Sequence, residues 1–119
     1  MKRLFLKSMI LKALVTQADV GYVGSITIDE DLIEKTGLHE NESVLVVDRS
    51  SGNRLQTYVI RGERGSGIIG MNGASAHLIT EGNIVDVMAF TWSSVEIHPL
   101  CIEVDRHNRF SRYVTDGTV

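Results

Sequence analysis

At 119 residues the chain has the length of one domain, and 43% apolar with 23% charged residues is the composition of a soluble globular protein. A net charge of −3 argues against a nucleic-acid surface as its main business. No apolar run approaches the roughly 20 residues that span a bilayer, and the single Cys101 closes no internal disulfide, so a reducing, cytoplasmic setting with no membrane contact is expected.

The N-terminal stretch "MKRLFLKSMILKALVT" faintly imitates a signal peptide. Lys7 and Lys12 interrupt it and no small-residue cleavage site follows, so it is read as a strand region, with a β-branched-rich run at 11–17. Residues 22–28 (YVGSITI) read as a second strand that contains Gly24. Asp29 suits a helix N-cap, Ile28 and Ile33 a hydrophobic staple, and Gly37 the left-handed residue after the helix. Further strands are expected at 43–48, 54–61, 67–71, 83–91, 100–105 and 109–114, separated by the turns "RSSGN", "GERGS" and "RHN". A short helical turn is expected from about Ser75 to Glu81, ended by Gly82. Pro99 marks a break before a final hairpin. With no repeat or linker, residues 1–119 read as a single, mainly β domain, a compact barrel with one or two short helices and little open edge.

Four patterns bear on chemistry. "GSGIIG" at 65–70 spells G-x-G-x-x-G, but that fingerprint holds a dinucleotide only between a strand and a helix. Here strand-like residues follow, so a turn into a strand is expected. His39, His77, His98 and His107 show no metal-ligand spacing, and no metal is expected. "NGASA" at 72–76 reads as a turn and helix start, with Asn72 or Ser75 capping. It reads equally as small residues that let a ligand approach backbone N–H groups. In "RLQTY", Arg54, Gln56 and Tyr58 share one strand face. They form either a surface ladder or a carboxylate fork and proton donor beside a cleft.

Gly24–Ser25 raises a further chemistry. A serine hydroxyl can attack the carbonyl before it where the backbone is held in an unusual conformation, and glycine at 24 tolerates that. The resulting ester, after β-elimination and hydrolysis, leaves a pyruvoyl group on the new N-terminus. That ketone does the work of an electron-withdrawing carbonyl cofactor.

"ADVGYVGSITIDEDL" at 18–32, "GNRLQTYVIRGERGSGIIGMNGASAH" at 52–77 and "GNIVDVMAF" at 82–90 together resemble the pyruvoyl-dependent aspartate 1-decarboxylases of pantothenate biosynthesis. The resemblance runs from about residue 3 to residue 92, and more loosely to 105. It implies a double-psi β-barrel, a homotetramer with sites between subunits, and self-cleavage into a β-chain (1–24) and an α-chain (25–119). It also implies that L-aspartate loses its α-carboxylate as CO₂ to give β-alanine, and it allows a maturation helper protein. By the same resemblance Ser25 becomes the pyruvoyl group and Tyr58 is the proton donor. Thr57 contacts substrate and takes part in processing. Gly73, Ala74 and Ser75 line the pocket, Arg54 grips a carboxylate, and Asn72 and Tyr22 position the reacting group.

Two positions depart from the family pattern. Met9 stands where members carry a lysine, and Leu11 where they carry a histidine. A lost charge-assisted hydrogen bond is worth roughly 1.5–3 kcal/mol. Lys7, two residues from Met9 on the same face, is the candidate substitute, while Lys12 points to the other face. A non-catalytic or altered-substrate paralogue of the same barrel is therefore the alternative to a working aspartate decarboxylase.

Overall fold

The computed structural model describes residues 1–115. Among these residues nine strands carry the fold: β1 (Arg3–Leu14), β2 (Gln17–Asp19), β3 (Ser25–Asp29), β4 (Ser43–Asp48), β5 (Arg54–Gly62), β6 (Ile69–Asn72), β7 (Ile84–Ser93), β8 (Leu100–Val104) and β9 (Phe110–Tyr113). One α-helix, α1 (Glu30–Thr36), follows β3, and a 3-10 helix (Gly73–His77) follows β6.

Most elements fall where the sequence puts them. The first run differs: β1 begins at Arg3 and leaves the ladder at Leu14. Its pairing with β7 is irregular between Leu6 and Ser8 and again between Ile10 and Ala13, where Lys12 takes φ +61°. Such bulges bend a strand and break its two-residue alternation, which is how Leu11 comes to be buried beside buried Ile10. Residues 22–24 are not strand; the Asp19 carboxylate accepts the Gly21 N–H at 3.0 Å and turns the chain before β3 starts at Ser25.

The strand order is β2-β6-β3-β5-β4-β7-β1-β8-β9. Three neighbouring pairs are parallel (β1 with β8, β2 with β6, β3 with β5) and the other five are antiparallel. Among the described residues the ladder does not close, and β2 and β9 are its edges. The wrap-around is made by isolated bonds instead. Past the end of β1, the Thr16 N–H donates to Ile69 O at 2.8 Å, and the Ile69 N–H returns to Thr16 Oγ1 at 3.0 Å. Inside lie Ile10, Ile26, Ile28, Val46, Val59, Ile69, Met71, Val85 and Ile102, with Leu32 and Ile33 of α1 over one end.

The cap of α1 also explains the glycine-rich loop. Buried Asp29 accepts the Asp31 N–H at 2.9 Å. Its two carboxylate oxygens also take the N–H groups of Gly65 (3.0 Å) and Gly67 (2.8 Å). Both glycines have positive φ. The loop thus cradles an anion, as glycine-rich loops do, but the anion is a carboxylate of its own chain. At the helix end Gly37 takes φ +72°, as its place in the sequence predicts. The second helical turn begins earlier than Ser75 and is shorter than expected. Gly73 starts it at φ +70°, and Gly82 (φ +93°) closes the turn that follows.

Candidate active site

Ser25 opens β3 and is 1% exposed. Directly opposite it in the antiparallel β3–β6 ladder stands Asn72. The Asn72 side-chain Nδ2 donates to Ser25 Oγ at 2.9 Å, and Ser25 Oγ donates to Val23 O at 3.2 Å. The nucleophile candidate is therefore held on both sides within the fold. Asn72 does not cap the 3-10 helix with its side chain; Ser75 Oγ donates to Asn72 O at 2.8 Å instead.

Across β3 lies β5. Their parallel register aligns Ile26 with Val59, which sets Ser25 level with Tyr58. Since β3 starts at Ser25, β5 upstream of Tyr58 has β4 on one side and, among the described residues, no strand on the other. An open cleft of about 460 Å³ fills that gap, lined by Gly24, Leu55, Gln56, Thr57, Tyr58, Ala74, Ser75 and Leu78. Thr57 and Tyr58 face opposite sides of β5, yet both reach the cleft because this edge is free.

The close packing that needs a glycine falls at 73 rather than 24. A Cβ on Gly73 would lie 2.6 Å from Gly24 Cα and 2.9 Å from Tyr22 O. For Gly24, which is not at positive φ, the nearest atom beyond its chain neighbours would be Asn72 O at 3.9 Å. Gly73 thus lets the 73–75 segment lie directly on the Gly24–Ser25 junction.

Of the residues singled out in the sequence, the structure brings together Gly24, Ser25, Thr57, Tyr58, Asn72, Gly73, Ala74 and Ser75. Arg54 is exposed at the start of β5 and does not line the cleft. Tyr22 is 64% exposed beside it. Met9 and Leu11 lie on β1, four strands from β3. Met9 is flanked by Met88 of β7 and Cys101 of β8, and burial pushes the Cys101 thiol up. Lys7 is no free substitute for a lysine at 9, because its ammonium pairs with Glu42 at 2.7 Å. Lys12 pairs with Glu103 at 3.1 Å; Lys12 and then Arg112 hold that carboxyl below its usual range. Thr27, which sequence reading passed over, accepts a second hydrogen bond from Asn72 Nδ2 at 2.9 Å. Its signal was the two-residue spacing from Ser25 on one strand face.

Among the described residues no group of three or more His, Cys, Asp or Glu is placed to hold a metal ion, and no helix is long and apolar enough to cross a membrane. The described residues thus form a mainly β chain with a serine buried at a strand start, an amide on its hydroxyl and a tyrosine-lined cleft alongside. The sequence profile of the aspartate decarboxylase family matches residues 1–114, and the chain belongs to that family. The fold of that family is the double-psi β-barrel, and pyruvoyl-dependent decarboxylation is its general chemistry.

Proposed function

We propose that the single domain 1–119 cleaves its own Gly24–Ser25 bond, giving chains 1–24 and 25–119, and then decarboxylates L-aspartate to β-alanine in pantothenate biosynthesis. The observation that carries this is Ser25 Oγ, buried and held by Asn72 and Val23, one residue past Gly24, which lines the Tyr58 cleft.

The cleavage balances without an outside oxidant. Ser25 Oγ adds to the Gly24 carbonyl carbon, the C–N bond breaks, and the hydroxyl proton ends on the Ser25 nitrogen, leaving an ester. Loss of the Ser25 Cα proton then breaks the Cβ–Oγ bond, and Oγ leaves as part of the Gly24 carboxylate. Water replaces the remaining nitrogen, which departs as ammonia. The pyruvoyl group so formed supplies a ketone that joins the substrate amine and withdraws electrons from the bond to the α-carboxylate. The residues around it suit that group: the cleft is open at Gly24, and Asn72 Nδ2 already bonds the atom that must leave.

In this reading Tyr58 delivers a proton to the reacting carbon, and Thr57, Ala74 and Ser75, with Gly73 packed against Gly24, form the substrate side of the cleft. Arg54 and exposed Tyr22 are read as parts of a site completed by a second copy, in a homotetramer in the cytoplasm. A maturation helper protein remains compatible with the same chemistry. Purified protein given L-aspartate should release β-alanine and CO₂ in equal amounts; no β-alanine from cleaved protein would refute the substrate assignment.

One observation favours a second reading, an altered-substrate paralogue. The two lysines of β1, Lys7 and Lys12, are paired within the chain, and Met9 lies opposite Met88 and Cys101. Turnover of another amino acid in preference to aspartate would support it.

A further inference from the structure

On the premise of the self-cleavage proposed above, we infer that Thr27 is a positioning residue for it. Thr27 anchors the Asn72 amide so that one N–H is aimed at the departing Ser25 oxygen.

The ladder sets the geometry. Ser25 and Asn72 are a direct cross-strand pair, and Thr27, two residues along β3, is the diagonal neighbour of Asn72. Directly opposite Thr27 stands Gly70, which has no side chain to occupy the space between them. The Asn72 amide nitrogen carries two protons. One bonds Thr27 Oγ1 at 2.9 Å and the other bonds Ser25 Oγ at 2.9 Å. The terminal torsion of an asparagine is broad and roughly two-fold, so the backbone of Asn72 alone does not fix where its N–H groups point. Thr27 supplies the second point of attachment. Ser25 Oγ gives its own proton to Val23 O, which leaves it the acceptor in its bond with Asn72.

The two chemical steps respond to that N–H in opposite ways. A donor on Oγ withdraws electron density, which does not help Oγ attack the Gly24 carbonyl. It does help when the Cβ–Oγ bond breaks and the electron pair goes to oxygen. Thr27 therefore acts on the elimination, and its loss should let the ester build up.

The test compares wild type with Thr27→Val, Thr27→Ser and Thr27→Ala by time-resolved denaturing mass spectrometry, with thermal melts as the check on folding. Hydroxylamine at neutral pH, which cleaves the ester, traps the intermediate, and only fragments ending at Gly24 are counted, so that any cleavage at the Asn72–Gly73 bond is told apart by mass. Loss of one neutral hydrogen bond predicts cleavage about two- to twelvefold slower in Thr27→Val. A larger hydroxylamine-cleavable fraction than in wild type should accompany it, and Thr27→Ser should restore the rate. Thr27→Ala should repeat the Val result where Val fails to fold. Slowing by Asn72→Ala should not deepen when Thr27→Val is added, because both remove one device. Folded Thr27→Val or Thr27→Ala that cleaves at the wild-type rate, or slows without ester accumulation, overturns the inference and leaves self-cleavage standing. Wild type that never cleaves overturns the premise itself.

Discussion

Gly73→Ala tests whether the 73–75 segment is seated on the cleavage junction as described. The new Cβ would lie 2.6 Å from Gly24 Cα, 2.7 Å from Gly24 N and 2.9 Å from Tyr22 O. All three are backbone atoms that cannot swing away, and Gly73 is at φ +70°. The left-handed conformation costs an L-residue roughly 1–2 kcal/mol. Forced overpacking adds roughly 1–3 kcal/mol. The total, about 2–5 kcal/mol, lowers the melting temperature by about 8–20 °C at roughly 4 °C per kcal/mol for a domain of this size. The assay is calorimetric unfolding on a Ser25→Ala background, so that cleavage does not enter the comparison. Gly24→Ala is the control, since its added Cβ meets nothing nearer than 3.9 Å beyond its chain neighbours. It should melt within about 1 kcal/mol of the parent, the size of an ordinary surface change. Gly73→Ala melting with the parent, or Gly24→Ala falling as far, would refute the reasoning.

Three other outcomes follow from the same structure. Burial raises the Asp48 carboxyl, but hydrogen bonds from Asn83, Ser50 and Ser51 outweigh it and hold the group below its usual range. Its contribution to stability is thus present above the ordinary carboxylate range, about pH 4, and is lost as pH falls through the lowered folded value. Asp48→Asn should flatten that part of the acid-unfolding curve measured by circular dichroism. Buried Asn108 ties the β8–β9 hairpin to the chain ahead of it through three bonds, two to the Leu14 backbone and one to Gly67 O, each 2.8 Å. Asn108→Ala should cost about 3 kcal/mol in urea unfolding, near 1 kcal/mol per bond. If residue 9 of a second copy completes the proposed site, Met9→Lys should lower the KM for L-aspartate by about tenfold or more, the worth of one charge-assisted bond; an unchanged KM in steady-state assays would show that Met9 does not limit substrate binding.

Local signals carried the fold a long way. Asp29 and Gly37 bracket α1 as their capping chemistry requires, and the runs at 43–48 and 54–61 became β4 and β5 nearly unchanged. What alternation could not show was where it breaks. The bulges in β1 turn on how β7 pairs with it, a long-range matter that "KSMILKALV" does not state. The start of β3 at Ser25 rather than at residue 22 depends on the Asp19 turn. That start is what opens the edge of β5 and forms the cleft. The "GSGIIG" pattern was legible as a turn, but its partner, the Asp29 carboxylate 36 residues earlier in the chain, appears only in the folded protein. Arg54 and Tyr58 do share a face, yet only Tyr58 reaches the cleft, because a shared face says nothing about how far along the strand the opening extends. Asn72 and Ser25 were each named separately; their contact, and the part of Thr27 in it, needed the β3–β6 register.

The most direct measurement is a denaturing mass spectrum of the purified, aged protein with fragment sequencing. Two chains are expected, one ending at Gly24 and one beginning at residue 25, whose compositions sum to the intact chain plus water minus ammonia. A single uncleaved species of about 13.2 kDa, with Ser25 still joined to Gly24, would contradict the account.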